Sequence, residues 1–186
     1  AFNQVRAFTL CWILKSAIAD AKPGELTGFI ATKETLEVDA PAAATVTPEG
    51  DQLVVSQMGE VNVPGDSLLT FYNPTDGKLI RSLETGLSDI VGLAYSPKTK
   101  KLYATDFSWV DTTKGALYRL DIEGDKVTPV KIVDLEKPAG LAFDKAGDRL
   151  YITTFGAESG NAGEAEVEGD DKEMSPGKLV VIEAGL

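Results

Sequence analysis

The 186 residues carry 29 acidic against 18 basic side chains, a formal net charge of −11 that would repel nucleic-acid phosphates and sets that partner class aside. There is no histidine, which excludes Ser-His-Asp and Cys-His catalysis and histidine-held zinc or iron from this chain, and the single Cys11 excludes an intrachain disulfide. No apolar run is long enough to span a bilayer, while a hydrophobic share of 43% suffices for a buried core.

Residues 1–22 admit two readings. Arg6, the apolar run AFTLCWIL and the small residues Ala17-Ile18-Ala19 have the layout of a secretory signal, although Lys15 interrupts it. The alternative is an irregular start followed by a strand over Trp12–Asp20, a turn at AKPGE and a second strand over Leu26–Glu34. That pair has the length and order of hairpins further along, and it makes residues 1–40 the outer half of a repeat unit.

The unit itself is clearest from residue 41 onward. AATVTPEGDQLVVSQM opens at Ala43, GLAYSPKTKKLYATDF at Gly92 and GLAFDKAGDRLYITTF at Gly140, spacings of 49 and then 48 residues. Each run begins with a small residue, passes an apolar position (Val46, Tyr95, Phe143) and a polar turn, then enters a β-branched and aromatic run led by Leu53, Leu102 or Leu150. A second pair of strands follows each time. SLLTFYNPTDGKLIRSLETG turns at Asn-Pro-Thr-Asp-Gly, GALYRLDIEGDKVTPVKIVDL turns at Glu-Gly-Asp, and GKLVVIEAG begins the same design a third time.

Four short strands repeating at this period, A to D from inside outward, are the blade of a β-propeller. The expected fold is all-β, an arc of about three four-stranded blades that amounts to half of a six-bladed ring. The segments are a partial blade over 1–40, blades over 41–87 and 88–136, and an incomplete blade over 137–186 with an acidic insertion at 157–176. That insertion holds seven acids and one lysine and reads as a solvated loop or a weak calcium site. An arc leaves open sheet edges. It is either part of a longer chain or half of a homodimer, in which the strands near one copy's N-terminus complete the last blade of the other.

In a propeller the loops after strands B and D share one face, around the mouth of the central channel. Strand B ends bring Gln57, Asp106 and Thr154 there. The following loops add Glu60, Asn62, Asp66, Trp109 and Asp111, and a D–A loop adds Asp89. One reading has Gln57, Glu60, Asp89, Asp106, Trp109 and Thr154 lining a polar mouth for a small polar ligand or a cation. The other has the same groups capping strand ends and loop N–H groups. Asp106 is the first choice for a metal ligand, with calcium the cation suited to oxygen donors. Trp109 is either a sugar-stacking platform or a lid on the neighbouring blade.

The runs QMGEVNVPGDSLL and GLAYSPKTKKLYATDF, within a stretch reaching from about Trp12 to the end, resemble secreted β-propeller proteins of planctomycete-type bacteria. Those are distantly similar to NHL-repeat and gluconolactonase-like six-bladed propellers. The resemblance implies periplasmic or extracellular location, with a signal peptide and upstream blades in the full-length protein. The lactonase-like group holds a divalent cation through Glu, Asn and Asp, and Asp106 is the one position here that the resemblance offers for it. The expected function is a non-catalytic binding or interaction scaffold for a small polar ligand or a protein. The alternative is a calcium-dependent, lactonase-like hydrolase.

Overall fold

The computed structural model describes residues 28–32, 40–60, 63–155 and 177–183. Among these, eleven strands form three antiparallel sheets. The first contains β1 (Pro41–Val46), β2 (Leu53–Gln57), β3 (Leu68–Tyr72) and β4 (Leu79–Glu84), in that order. The second contains β5 (Ile90–Tyr95), β6 (Leu102–Asp106), β7 (Ala116–Glu123) and β8 (Lys126–Asp134), with a 3-10 turn at Trp109–Lys114 between β6 and β7. The third contains β9 (Pro138–Phe143), β10 (Arg149–Thr154) and β11 (Lys178–Glu183). The first strands lie together, with β5 packed between β1 and β9, while β4 and β8 lie on the outside. This is an arc of propeller blades. β11 pairs with β10 from Thr154↔Lys178 to Arg149↔Glu183, so a dimer that exchanges strands at this blade would first have to displace it.

The strand expected over Leu26–Glu34 is absent from the part of it that is described. Residues 28–31 have no regular structure and Thr32 is helical; the rest of that hairpin, and the possible signal segment, lie outside the described residues. Ile30 nevertheless packs on the first sheet, against Leu53, Val55 and Tyr72.

The repeated sequence produces repeated local chemistry. The β1–β2, β5–β6 and β9–β10 turns each close with a backbone bond: Thr47 N–H to Gln52 C=O, Ser96 N–H to Lys101 C=O, and Asp144 N–H to Arg149 C=O. The opening residue's side chain then accepts a loop N–H in all three, from Gln52 (3.1 Å), Thr99 (3.1 Å) and Asp148 (2.9 Å) respectively. Gly50 and Gly147 supply the left-handed residue in the outer two turns, at φ 78° and 74°. All three A–B pairs also carry a register shift at the same place, at Pro41/Ala43, Ile90/Gly92 and opposite Ile152/Thr154.

The core consists of layers between sheets. Val54, Leu69 and Phe71 of the first sheet meet Leu93, Leu102, Ala104 and Leu120 of the second. Tyr103 and Leu117 on the second sheet's other face meet Leu150 and Ile152 of the third, with Phe143 edge-on to Tyr103 at 5.3 Å. β2 and β6 are therefore buried along their whole length, whereas β10 alternates between buried and open positions. At the inner edge the Thr105 hydroxyl donates to the Ala139 carbonyl of the third sheet. Gly92 allows that approach: a Cβ there would lie 2.5 Å from the Ala139 oxygen and 2.5 Å from Thr105 Oγ1. This is the physical reason for glycine at position 92.

Gly140 occupies the same place in the third sheet, but its added Cβ would meet nothing nearer than Thr153 Oγ1 at 3.5 Å. Gly92→Ala is expected to destabilise the chain by ~1–3 kcal/mol, as overpacking against a fixed backbone does. Gly140→Ala is expected to leave the unfolding midpoint of the isolated chain nearly unchanged. Urea titrations of the two variants beside wild type check both, and equal midpoints would refute the packing account.

Candidate functional site

The loops after β2, β4 and β6 meet on one face, and a network of buried side chains ties them together. Asp106, the last residue of β6, accepts three backbone N–H groups: from Asp89 at 2.7 Å, Ser88 at 3.1 Å and Ser108 at 3.1 Å. Asp89 in turn accepts the Trp109 N–H at 2.6 Å, and the Phe107 N–H donates to the Asp89 carbonyl at 2.9 Å. One carboxylate thus caps the loop entering the second sheet and the loop leaving β6. Serines join the β2–β3 loop to this assembly. Ser67 Oγ donates to the Ser88 carbonyl at 2.7 Å and accepts the Ile90 N–H at 3.1 Å, while Ser88 Oγ accepts the Gly65 N–H at 3.2 Å.

The expected mouth residues divide accordingly. Asp89, Asp106 and Trp109 come together, and both aspartates are buried. Gln57 is also buried and donates to Thr70 Oγ1 at 3.0 Å, with its carbonyl oxygen unpartnered among the described residues. Glu60 is exposed; its backbone N–H donates to Asp66 Oδ2 at 2.8 Å and its carbonyl accepts the Val63 N–H at 2.9 Å. Thr154 is half-buried in the ladder opposite Lys178. Asp111 pairs with Lys114 at 3.0 Å. Asn62 and the acidic insertion at 157–176 lie outside the described residues.

Two carboxylate oxygens, Asp89 Oδ1 and Asp66 Oδ1, are buried without a hydrogen-bond partner among the described residues. Burial pushes the Asp89 carboxyl above the ordinary aspartate range. Its bond from Trp109 opposes the shift, and the charges of Asp106 and Asp66 add to it. Among the described residues no three His, Cys, Asp or Glu side chains are arranged to hold a metal.

Above this buried network lies an aromatic surface. Trp109 stacks on Phe107 at 4.9 Å between ring centroids, and Phe155 of the third sheet meets Phe107 edge-on at 5.8 Å. Phe107 is buried, while Trp109 is 50% and Phe155 62% exposed, with Val110 exposed beside them. Sequence reasoning passed over Phe107 and Phe155 although both close the repeated run after strand B, in TDF and TTF. Ser67 and Ser88 carry no signal that marks them among other loop serines. A groove of ≈ 440 Å³ lies at the opposite end of the sheets, lined by charges of both signs including Glu49, Asp51, Arg81 and Lys100. It is separated from the aspartate network by the length of the strands.

No family model matches the sequence, and no curated protein matches it. Among solved structures the chain is similar to a hydrazine synthase from Kuenenia stuttgartiensis, with 18% identity and a TM-score of 0.46, over 64% of this chain and 30% of that one. It is also similar to an auxiliary nutrient binding protein from Bacteroides thetaiotaomicron VPI-5482, with 15% identity and a TM-score of 0.47, over 76% and 32%. A third is an acylaminoacyl peptidase from Pyrococcus horikoshii, with 15% identity and a TM-score of 0.41, over 72% and 22%. The chain spans less than a third of each of these proteins. Likeness this weak carries no functional inference, and the fold stands on the strand order and register above.

Asp106→Ala strands three backbone donors at once, and each buried unpaired donor costs ~1–3 kcal/mol. A clear loss of stability is the expected outcome in thermal or urea unfolding, and an unchanged midpoint would show that the loops do not depend on this carboxylate.

Asp89 predicts a pH dependence of definite sign. Its folded pKa is raised, so its favourable contribution is complete below the ordinary value of 3.8 and is lost as pH rises through the higher folded value. Asp89→Asn keeps an oxygen for the Trp109 N–H and removes the buried charge. It is expected to be more stable than wild type at neutral pH, with the difference vanishing below about pH 4. A difference independent of pH, followed by circular dichroism melts, would refute this.

Proposed function

We propose that this propeller arc is a non-catalytic binding scaffold, exported from a bacterial cell, whose ligand contacts the loop face at Trp109 and Phe155. The supporting observation is the pairing of a braced interior with an exposed aromatic surface. Asp89 holds the Trp109 backbone and Asp106 holds Asp89, so the rings are presented in place, and little ordering cost remains for the binding step. A small polar ligand with one apolar face, such as a sugar ring, suits a half-exposed indole. The carboxylates themselves are poorly placed for proton transfer to a substrate. Asp106 has both oxygens on backbone N–H groups, and Asp89 is buried. Export rests on the sequence resemblance alone.

The test is titration of Trp12→Phe, which leaves Trp109 as the only indole, with a panel of mono- and oligosaccharides followed by fluorescence. A saturable change that Phe155→Ala weakens several-fold is the expected result. No change up to about 10 mM, beyond the weakest affinities of interest, would overturn the reading.

The calcium-dependent hydrolase is a second reading, favoured by the unpartnered Asp89 and Asp66 oxygens. A third donor would have to come from elsewhere. On this reading millimolar calcium raises the melting temperature of wild type and not of Asp89→Asn; an unchanged wild-type midpoint eliminates it. Asp106→Ala is not diagnostic, because it disturbs the loops whether or not a metal binds.

A further inference from the structure

The groove at the far end of the sheets lies between the first and second of them, beside the β1–β2 and β5–β6 turns. Its volume of ≈ 440 Å³ falls within the range of about 300–1,000 Å³ usual for small-molecule sites. The apolar part of its lining is Phe71, Leu102, Leu120 and Ile122, where the layer shared by the two sheets comes to the surface. Two acids on the rim, Glu49 and Asp51, belong to the β1–β2 turn. Opposing bases come from other elements, Lys100 from the β5–β6 turn and Arg81 from β4.

Arg81 is held in a fixed position with its charge largely unspent. Its guanidinium lies over the Phe71 ring at 4.4 Å, and Nη1 donates to the Gly124 carbonyl of the β7–β8 turn at 2.8 Å. Its ion-pair contact among the described residues, Asp125, is 3.9 Å away and 91% exposed, too loose a pair to neutralise it. The other face of the second sheet shows the contrasting case. There Arg119, cross-strand from Tyr103, is gripped by both oxygens of Asp121 at 3.0 and 2.8 Å. Arg81 has no such carboxylate, and its Nε and Nη2 hold no hydrogen bond among the described residues.

Glu49 and Lys100 likewise make no side-chain hydrogen bond or ion pair among the described residues. Tyr95 stands between the two sets of charges. Burial, and then the charges of Glu49 and Asp51, raise its hydroxyl above the ordinary tyrosine pKa, while Arg81 opposes them. One half-buried hydroxyl thus senses both signs of charge beside an apolar floor. A groove with cations alone would suit any small acid. Unpaired groups of both signs around an apolar floor suit a molecule that carries both charges and an apolar body.

We infer that this groove binds a free α-amino acid with an apolar side chain, such as phenylalanine or leucine. The carboxylate lies on the open edge of the Arg81 guanidinium and near Lys100, the ammonium on Glu49, and the side chain against Phe71 and Leu120. The site is separate from Trp109 and does not rest on the loop-face reading.

The test is a ligand-observed NMR titration of the full chain with L-phenylalanine and L-leucine. Saturable binding is expected for both. N-acetyl-phenylalanine lacks the ammonium and phenylalanine amide lacks the carboxylate, and each is expected to bind about fivefold or more weakly than the parent. These blocked ligands probe both charges without altering the protein. Glu49→Gln, at an exposed position, is expected to weaken the parent by a similar factor, with unchanged circular dichroism and unchanged affinity for the N-acetyl form. Arg81→Gln is expected to weaken the parent and not the amide. No binding of either amino acid up to about 10 mM overturns the inference. So does equal affinity for the parent and either blocked form, or parent binding that Glu49→Gln leaves intact. Saccharide binding at Trp109 is read separately by fluorescence, so the two proposals fail independently.

Discussion

A β-sheet with apolar residues on both faces is stable only between two other layers, and this constraint organises the chain. β2 and β6 are buried at every position: β6 lies in a sheet with another sheet on either side, and β2 has the second sheet on one side and Ile30 packed on the other. The packing layers are therefore shared between successive sheets, with Phe71 of one touching the same cluster as Leu102 of the next. Sheets this close need small residues at the inner edge, where the strands converge. Gly92 is where that need is most acute, since a single methyl group would collide with the backbone of the neighbouring sheet.

The same convergence explains why the loop face is built on buried carboxylates. Loops that connect one sheet to the next cross the packing layer and carry backbone N–H groups away from water. Asp106 satisfies two of them, at Ser88 and Asp89, together with the Ser108 N–H of the β6–β7 loop, and Asp89 accepts the Trp109 N–H of that same loop. A carboxylate is an effective acceptor for several such donors, but burying a second one beside it is costly, which is the origin of the raised Asp89 pKa. The network fixes the position of Trp109 without using its ring, so a rigid interior and an accessible surface coexist within a few residues.

Much of the fold was legible in the sequence. The period of about 48 residues, the leading Leu53, Leu102 and Leu150, and the turn chemistry of TPEGDQ, SPKTKK and DKAGDR all recur, and each recurrence corresponds to an observed strand pair or turn. The expected hairpin near the N-terminus rested on length and order alone, without the alternation that marks a half-buried strand, and its described part contains no strand. The site was legible only in part. Asp106 and Asp89 stood out as charges at strand ends, but type and spacing do not reveal whether such a charge faces a channel or a set of loop amides. Phe107 and Phe155 are not marked out by the sequence, because an aromatic closing a strand run carries no sign of whether it faces the core or solvent.

What the sequence determined by itself was local: strands, turns and their repetition, because these depend on side-chain shape, alternation and turn residues close together in the chain. What only the tertiary structure decided was which face of each strand is covered, and which donors each carboxylate meets. LVVSQ, LYATD and RLYITT are nearly interchangeable as strings. The first two are buried throughout and the third is open on one side, since burial depends on the neighbouring sheet and not on the strand.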